Sequence, residues 1–240
     1  LTKLSIVIPC HNESGAIPLV MRAIRDVLTN EKDARPWDVA EVIVVNDAST
    51  DSTVELLDQF PFAKVFHLKE KSGYGAALKA GIQEATGDWI AFFDLDGTYD
   101  PSDLIPLMKI AKNESVDVVF GERFSEGKGM PAIRRVGNHL FTWLVSILFR
   151  TKLKDVCSGF RIFRREHKSH VLELSSSGLD FSLALTIWAV KSKKNIKESP
   201  IRYHLRNGES KLRVLPDGNR FLWTILREHF SDYGFSKAWK

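Results

Sequence analysis

"IAFFDLDGTYDP", residues 90–101, decides the fold. Four apolar residues without alternation run into Asp94, then Asp96 and Gly97. An unbroken apolar run closed by turn residues is a strand buried on both faces. Upstream, "LSIVIP" (4–9), "EVIVVND" (41–47) and "AKVFHL" (63–68) have the same character, and "VDVVFG" (116–121) follows. Between them lie helical spacings over 16–29, a helix behind Asp51 and Ser52, a glycine-led helix over 73–85 and another over 102–112. Apolar strands alternating with helices predict an α/β fold, a mostly parallel Rossmann-like sheet with helices on both faces. Ligands of such sheets sit outside the carboxyl ends of the strands. The first, second and fourth strands end at Asn12 and Glu13, at Asp47, and at Asp94 and Asp96. One shared site is expected there.

The 240 residues, 44% hydrophobic and 27% charged, suffice for one domain with a full core and argue against disorder. Cys10 and Cys157 form neither a disulfide framework nor a metal-ligand spacing, which fits a reducing compartment. The net charge of +4 conceals a division. Residues 1–120 carry 11 Lys/Arg against 19 Asp/Glu, and residues 121–240 carry 23 against 11. The second half therefore expects an anionic partner. No nucleic-acid-binding motif accompanies that charge, so a membrane surface or a phosphorylated substrate is the better expectation. Residues 134–152 place basic ends around an apolar stretch, 140–149. That stretch is too short to span a bilayer, which needs about 20 residues. It reads as a buried core helix or as a helix lying in a membrane interface, with Trp143 and flanking cations as anchors. Further helices are expected over 179–193 and toward the C-terminus from Gly218.

A strand ending in D-x-D serves two chemistries. A phosphatase would use Asp94 as nucleophile and Asp96 as acid/base. It would need a close acidic pair later in the chain, and the later aspartates, Asp155, Asp180, Asp217 and Asp232, are far apart in sequence. A calcium loop fails because Gly97 and Ile105 stand at the wrong positions. A nucleotide-sugar transferase needs carboxylates to hold Mg²⁺ or Mn²⁺ against a diphosphate leaving group, which Asp96 and Asp94 can do. In a straight strand the two would share a face.

"SIVIPCHNE", "VIVVNDASTDST", "GYGAALKAGIQEATGDWIAFFDLD" and "GTYDPSDL" resemble inverting family 2 glycosyltransferases of the GT-A fold over residues 4–120. The resemblance implies that Pro9, Asn12 and Glu13 lie along the nucleoside and that Asp47 reaches the base or ribose. It implies Asp94 near the ribose, Asp96 on the metal, and Lys71, Gly73 and Gly75 beside the nucleotide. Glycines at a helix start would let the backbone approach phosphates. "GERF", "MPAIRRVGNHL", "DVCSGFRIFRRE" and "SPIRYHLRNGESKL" extend the resemblance to the polyprenyl-phosphate sugar synthases, such as those for dolichyl-phosphate mannose. On that basis residues 1–240 form a single GT-A domain. Residues 1–120 would be its nucleotide-sugar half and 121–240 its acceptor and membrane half.

The reaction implied is hexose transfer from GDP-mannose or a UDP-hexose to dolichyl or undecaprenyl phosphate, at the cytoplasmic face of a membrane. Arg123, Arg134, Arg135 and Asn138 would surround the acceptor phosphate, and Arg206, Ser210 and Lys211 would contact phosphate groups. Arginine's planar fork suits phosphate oxygens. A sugar hydroxyl needs a general base, whereas a phosphate monoester, with a second pKa of about 6, is already largely ionised. Asp180 and Asp155 are the candidate acids, with Asp155 alternatively orienting an arginine or sugar hydroxyls. Relatives often carry further acids at the positions of Ser182 and Ala184. Their loss leaves two alternatives open: the same fold acting on a hydroxyl acceptor, or a protein that binds nucleotide sugars without turnover.

Overall fold

The structure, a computed structural model, describes residues 1–29, 34–113, 115–125, 129–206 and 214–231. Strands β1 (Lys3–Cys10), β2 (Val39–Asn46), β3 (Ala63–His67) and β4 (Trp89–Phe92) alternate with helices α1 (Ile17–Thr29), α2 (Thr53–Leu57) and α3 (Tyr74–Glu84). Then come α4 (Leu104–Ala111), β5 (Val118–Glu122), α5 (Ala132–Phe149), β6 (Arg161–Arg164), α6 (Lys168–Glu173), α7 (Phe181–Lys191), β7 (Ile196–Pro200) and α8 (Val214–Phe230). One seven-stranded sheet has the order β3-β2-β1-β4-β6-β5-β7. The pairs among β1 to β4 are parallel, as is β5 with β7, and β6 runs antiparallel to both its neighbours. The sheet is thus mostly parallel, as expected, with one reversed strand. It also draws strands from both halves of the chain.

Strand periodicity divides the core. Leu4, Ile6, Ile8, Val42, Val44, Ala91 and Phe93 pack on one face with Ile17, Met21, Ile24, Leu104 and Met108 from α1 and α4. Val7, Ile43, Val45, Ile90 and Phe92 pack on the other with Ala77, Leu78, Ile82, Phe181 and Leu185 from α3 and α7. Helix α7 is apolar on every side because it lies between two layers. Its Leu183 and Ile187 meet Val145, Phe221 and Ile225 of α5 and α8 in a third cluster.

Helices α5 and α8 run side by side in the same direction. Phe141 stacks obliquely on Phe221 at 5.3 Å, and two turns later Phe149 meets His229 edge-on at 5.6 Å. Of α5, only Thr142 and Val145 are buried. Ile133, Val136, Leu140, Trp143 and Ile147 are exposed, and so are Leu222, Trp223, Leu226 and Phe230 of α8. The core-helix reading of 134–152 therefore holds for one face only: Phe141, Leu144, Val145 and Leu148 pack inward, while a second apolar stripe faces outward. Among the described residues no helix is long and apolar enough to cross a membrane.

The strand of residues 88–96 is shorter than expected. It stops at Phe92, so Asp94 and Asp96 lie on a turn and not on one strand face. Gly97, at φ 78°, supplies the left-handed backbone that reverses the chain there.

Candidate active site

A cavity of about 810 Å³ opens at the carboxyl ends of β1, β2 and β4 and extends to the N-terminal parts of α5 and α8. Its wall includes Pro9, Glu13, Asp47, Lys71, Gly73, Asp94, Asp96, Arg123, Arg134, Asn138 and Arg206. Eleven of the residues singled out from the sequence thus converge on one space. Asn12, Gly75, Arg135, Asp155 and Asp180 do not line it. Ser210 and Lys211 lie outside the described residues.

At the floor, Asp96 accepts from the Thr98 amide at 3.0 Å and the Thr98 hydroxyl at 2.6 Å through Oδ1. Its Oδ2 takes Arg206 Nη1 at 2.5 Å, and Arg206 Nη2 reaches Glu13 Oε1 at 2.6 Å. One guanidinium from the second half of the chain therefore bridges two carboxylates of the first half. Its position is set by Arg202, which binds the Asp103 carboxylate at 2.8 Å and that of Asp100 at 2.9 Å. A bridge between Tyr99 and Tyr203 ties the same two segments.

Asp94 has a different environment. Its Oδ1 is buried without a hydrogen-bond partner, as is the neighbouring Tyr74 hydroxyl. Burial, and then the Asp96 charge, push its carboxyl up to about 7, against the pull of Tyr74, Arg206 and Arg123. A side chain on Gly159 would intrude here, since its Cβ would lie 3.1 Å from Asp94 Oδ2 and 3.2 Å from the Tyr74 hydroxyl. Two carboxylates, one with an orphaned oxygen, make a hard-oxygen donor set that fits Mg²⁺ or Mn²⁺. A second group of potential ligands, Asp117, Glu166 and His167, lies elsewhere. There His167 Nε2 is bonded to Asp117 Oδ1 at 2.9 Å, and Asp117 Oδ2 takes the Asn195 amide at 2.7 Å. Those contacts are a structural clasp between β5, α6 and β7.

Several expected contacts have other partners. Asp47 accepts the amides of Ser72 at 2.6 Å and Gly73 at 2.9 Å, which fixes the start of α3. Asn12, at φ 50°, bonds the Thr50 amide at 2.7 Å and holds the 49–51 turn instead of facing the cavity. Gly73 and Gly75 are required by protein packing. A Cβ on either would lie 2.8 Å from backbone atoms of Ser177. Gly73 lines the cavity, where it was expected beside the nucleotide, and Gly75 does not. Arg135 is exposed on another side of α5 from Arg134.

Asp155 is fully buried and binds Arg123 through Nε at 2.7 Å and Nη2 at 2.9 Å. Burial opposes its charge, but the Arg123 guanidinium outweighs that and holds the carboxyl low. With no surface toward the cavity, Asp155 is a positioning residue for Arg123. Its assignment as a catalytic acid is corrected on that ground. Asp180 stands at the start of α7 and accepts from the Thr224 hydroxyl at 2.8 Å. Its other oxygen is buried, 4.0 Å from Arg220 Nε. Ser182 lines the cavity, whereas Ala184 is packed in the core. Of the two lost acids, only the one at Ser182 would have faced the site.

Tyr74, Tyr99, Tyr203, Gly159 and Arg220 also line the cavity and were not singled out from the sequence. Tyr74 could have been noticed, because it stands between the two glycines at the α3 start. Arg220 carries no motif, and only the packing of α8 brings it to the site.

A model of the family described as Glycosyl transferase family 2 matches residues 5–171. A low-salt glycan biosynthesis hexosyltransferase of Haloferax volcanii is 31% identical over 93% of this chain, which spans 53% of its length. A dolichyl-phosphate hexose transferase of the same organism is 34% identical over 90% of this chain and 89% of its own. An undecaprenyl-phosphate mannosyltransferase of Micrococcus luteus is 28% identical over 86% of each chain. Among solved structures, glucosyl-3-phosphoglycerate synthase of Mycobacterium tuberculosis, with Mn²⁺, UDP and glucosyl-3-phosphoglycerate, superposes with a TM-score of 0.70. It shares 20% identity, and the match covers 97% of this chain and 82% of that one. That likeness establishes the GT-A fold.

Proposed function

We propose an activity for this chain, which belongs to glycosyl transferase family 2: inverting, metal-dependent transfer of a hexose from a nucleotide sugar to a polyprenyl phosphate. One observation carries the reading. A single cavity runs from the carboxylates Asp94 and Asp96 to the N-terminal parts of α5 and α8, whose outer faces are apolar. The relatives named for dolichyl and undecaprenyl phosphate support the acceptor class. The Mycobacterium structure, in complex with Mn²⁺ and UDP, supports a divalent ion and a nucleotide sugar as donor. The donor is GDP-mannose or a UDP-hexose, and the protein works at the cytoplasmic face of a membrane.

Asp94 and Asp96 would hold the ion, which would offset the charge of the departing nucleoside diphosphate. Glu13 and Asp47, both in the cavity wall, would lie along the nucleoside. Arg206 neutralises Asp96 and Glu13 in the free protein and is within reach of the donor phosphates once those carboxylates have another cation. Arg123, held rigid by Asp155, and Arg134 and Asn138 of α5 form the basic wall that receives the acceptor phosphate. The lipid phosphate oxygen attacks the anomeric carbon opposite the leaving group. Asp180, tied to Thr224 and away from the cavity surface, is not poised as a base, which favours an acceptor that arrives ionised. The apolar face of α5 and α8, with Trp143 and Trp223, would rest on the membrane that carries the lipid.

The test is turnover with UDP-glucose, UDP-galactose, UDP-N-acetylglucosamine or GDP-mannose and Mn²⁺ or Mg²⁺, with and without undecaprenyl or dolichyl phosphate. Extractable glycolipid that disappears with chelator and in Asp96→Asn is expected. Donor binding without lipid product would sink the acceptor assignment and leave a hydroxyl acceptor or a binding protein.

A further inference from the structure

We propose that the basic basin at the C-terminal ends of α5 and α7 is a second membrane contact, one that takes anionic phospholipid headgroups. It deepens the membrane-facing part of the proposed function and rests on that reading. The basin is separate from the catalytic cavity and includes Arg150, Lys152, Lys193, Lys194 and Lys197. Its one carboxylate, Glu198, accepts the amides of Lys154 at 2.9 Å and Asp155 at 3.0 Å and is turned into the fold. Among the described residues no carboxylate forms an ion pair with Arg150, Lys152, Lys193 or Lys197, which are all exposed. Like charges left so close repel one another, and an anionic surface relieves that repulsion.

The backbone supplies an independent sign. Arg150, at φ 53° and ψ 45°, ends α5 in the left-handed conformation, and Lys193, at φ 51°, does so just after α7. Glycine is the usual residue at such helix ends, and any other side chain strains the backbone. Both positions instead keep a long cation that points into the same basin. Neighbouring exposure identifies the occupant. The apolar stripe of α5 ends at Ile147, one turn before Arg150, and that of α8 ends at Phe230. An apolar face rimmed by lysine and arginine matches acyl chains beside anionic headgroups. From Ile133 at the cavity to Arg150 the helix rises about 26 Å. Contact at both ends would fix how the cavity faces the membrane.

The experiment is sedimentation with vesicles of phosphatidylcholine, with or without phosphatidylglycerol. The wild-type protein is expected to favour phosphatidylglycerol, more so at low salt. The double variant Arg150→Gly/Lys193→Gly relieves backbone strain, so its melting temperature should hold or rise. Its affinity for phosphatidylglycerol vesicles should fall roughly thirtyfold, from about fivefold losses at each of two cations. Lys152→Ser/Lys197→Ser, which leaves the backbone alone, should lose a similar factor. Binding to pure phosphatidylcholine should not change in either. Wild-type affinity for phosphatidylglycerol in both variants overturns the proposal, as does a preference for duplex DNA over those vesicles. The assay needs no donor sugar. Absent lipid-phosphate turnover with vesicle binding still lost in the variants would defeat only the catalytic reading. Normal turnover with unchanged vesicle binding would defeat only this one.

Discussion

Asp94 is the residue whose surroundings make the sharpest demand. Its folded carboxyl stands near 7 against an ordinary 3.8, mainly through burial. The stability linked to its protonated form is complete below 3.8 and is lost as pH rises through 7. A divalent cation needs the ionised form, so binding near pH 6 must expel a proton. Calorimetry of Mn²⁺ binding in buffers of different ionisation heat should show that release at pH 6 and its decline above pH 8. In Asp94→Asn the release should vanish. Arg206 makes the complementary prediction. Its guanidinium occupies Asp96 and Glu13, so Arg206→Gln should tighten nucleotide-free Mn²⁺ binding by about tenfold, the scale of one neighbouring charge. Turnover should fall nonetheless. Unchanged Mn²⁺ affinity would mean that the bridge does not compete for the ion. At this scale the sequence was legible in bringing Asp94, Asp96 and Arg123 to one cavity. It was not legible where a side chain's partner decides its role. Asn12 faces its own loop, Asp47 in the cavity wall holds the start of α3, and Asp155 faces Arg123, because buried polar atoms take the nearest satisfied geometry.

Elements carry a second group of predictions. Asp155→Asn leaves Arg123 buried beside a neutral amide, and losing one partner of a buried pair costs about 3–5 kcal/mol. Denaturant unfolding should show that loss, and acceptor affinity should fall with it. Gly75→Ala drives a methyl against the Ser177 backbone, an overpacking worth about 1–3 kcal/mol. Its nucleotide affinity should stay near wild type, since Gly75 does not line the cavity. A large affinity loss without a stability loss would support the phosphate-approach role. Helix and strand runs with one period, such as α1 or β2, were readable from spacing alone. The end of β4 was not, because continued hydrophobicity through Phe93 and Leu95 hides a chain that already turns. The outward stripe of α5 was legible only as one of two alternatives, since apolar spacing marks a face without naming what covers it.

In the whole molecule, the site lies at the carboxyl ends of β1, β2 and β4. At the end away from the cavity, Glu41 gathers Ser5 at 2.7 Å, Thr86 at 2.7 Å and Lys64 at 3.2 Å. Burial opposes its charge, yet these bonds together pull its carboxyl from 4.5 down to about 2. Its contribution is present above 4.5 and disappears as pH falls through 2. Acid titration of melting temperature should fall less steeply over that window in Glu41→Gln, which should also be less stable at pH 7. The mostly parallel architecture followed from the strand and helix alternation of the first 120 residues. The place of β6 between β4 and β5 did not, because strand order depends on long-range pairing that no local pattern encodes.

The parallel course of α5 and α8 has an electrical consequence. Each helix carries about half a positive charge at its N-terminus and half a negative one at its C-terminus. Two helices aligned in the same sense add their poles instead of cancelling them. Both positive poles meet at the cavity mouth, beside Arg134 and Arg220, and together they amount to about one elementary charge. Both negative poles fall at the far end, where Lys191 donates to the Glu228 carbonyl of α8 and Arg150 closes α5. The pair is a dipole laid along the protein's outer face, and it draws an anionic substrate toward the carboxylates that its cation will screen.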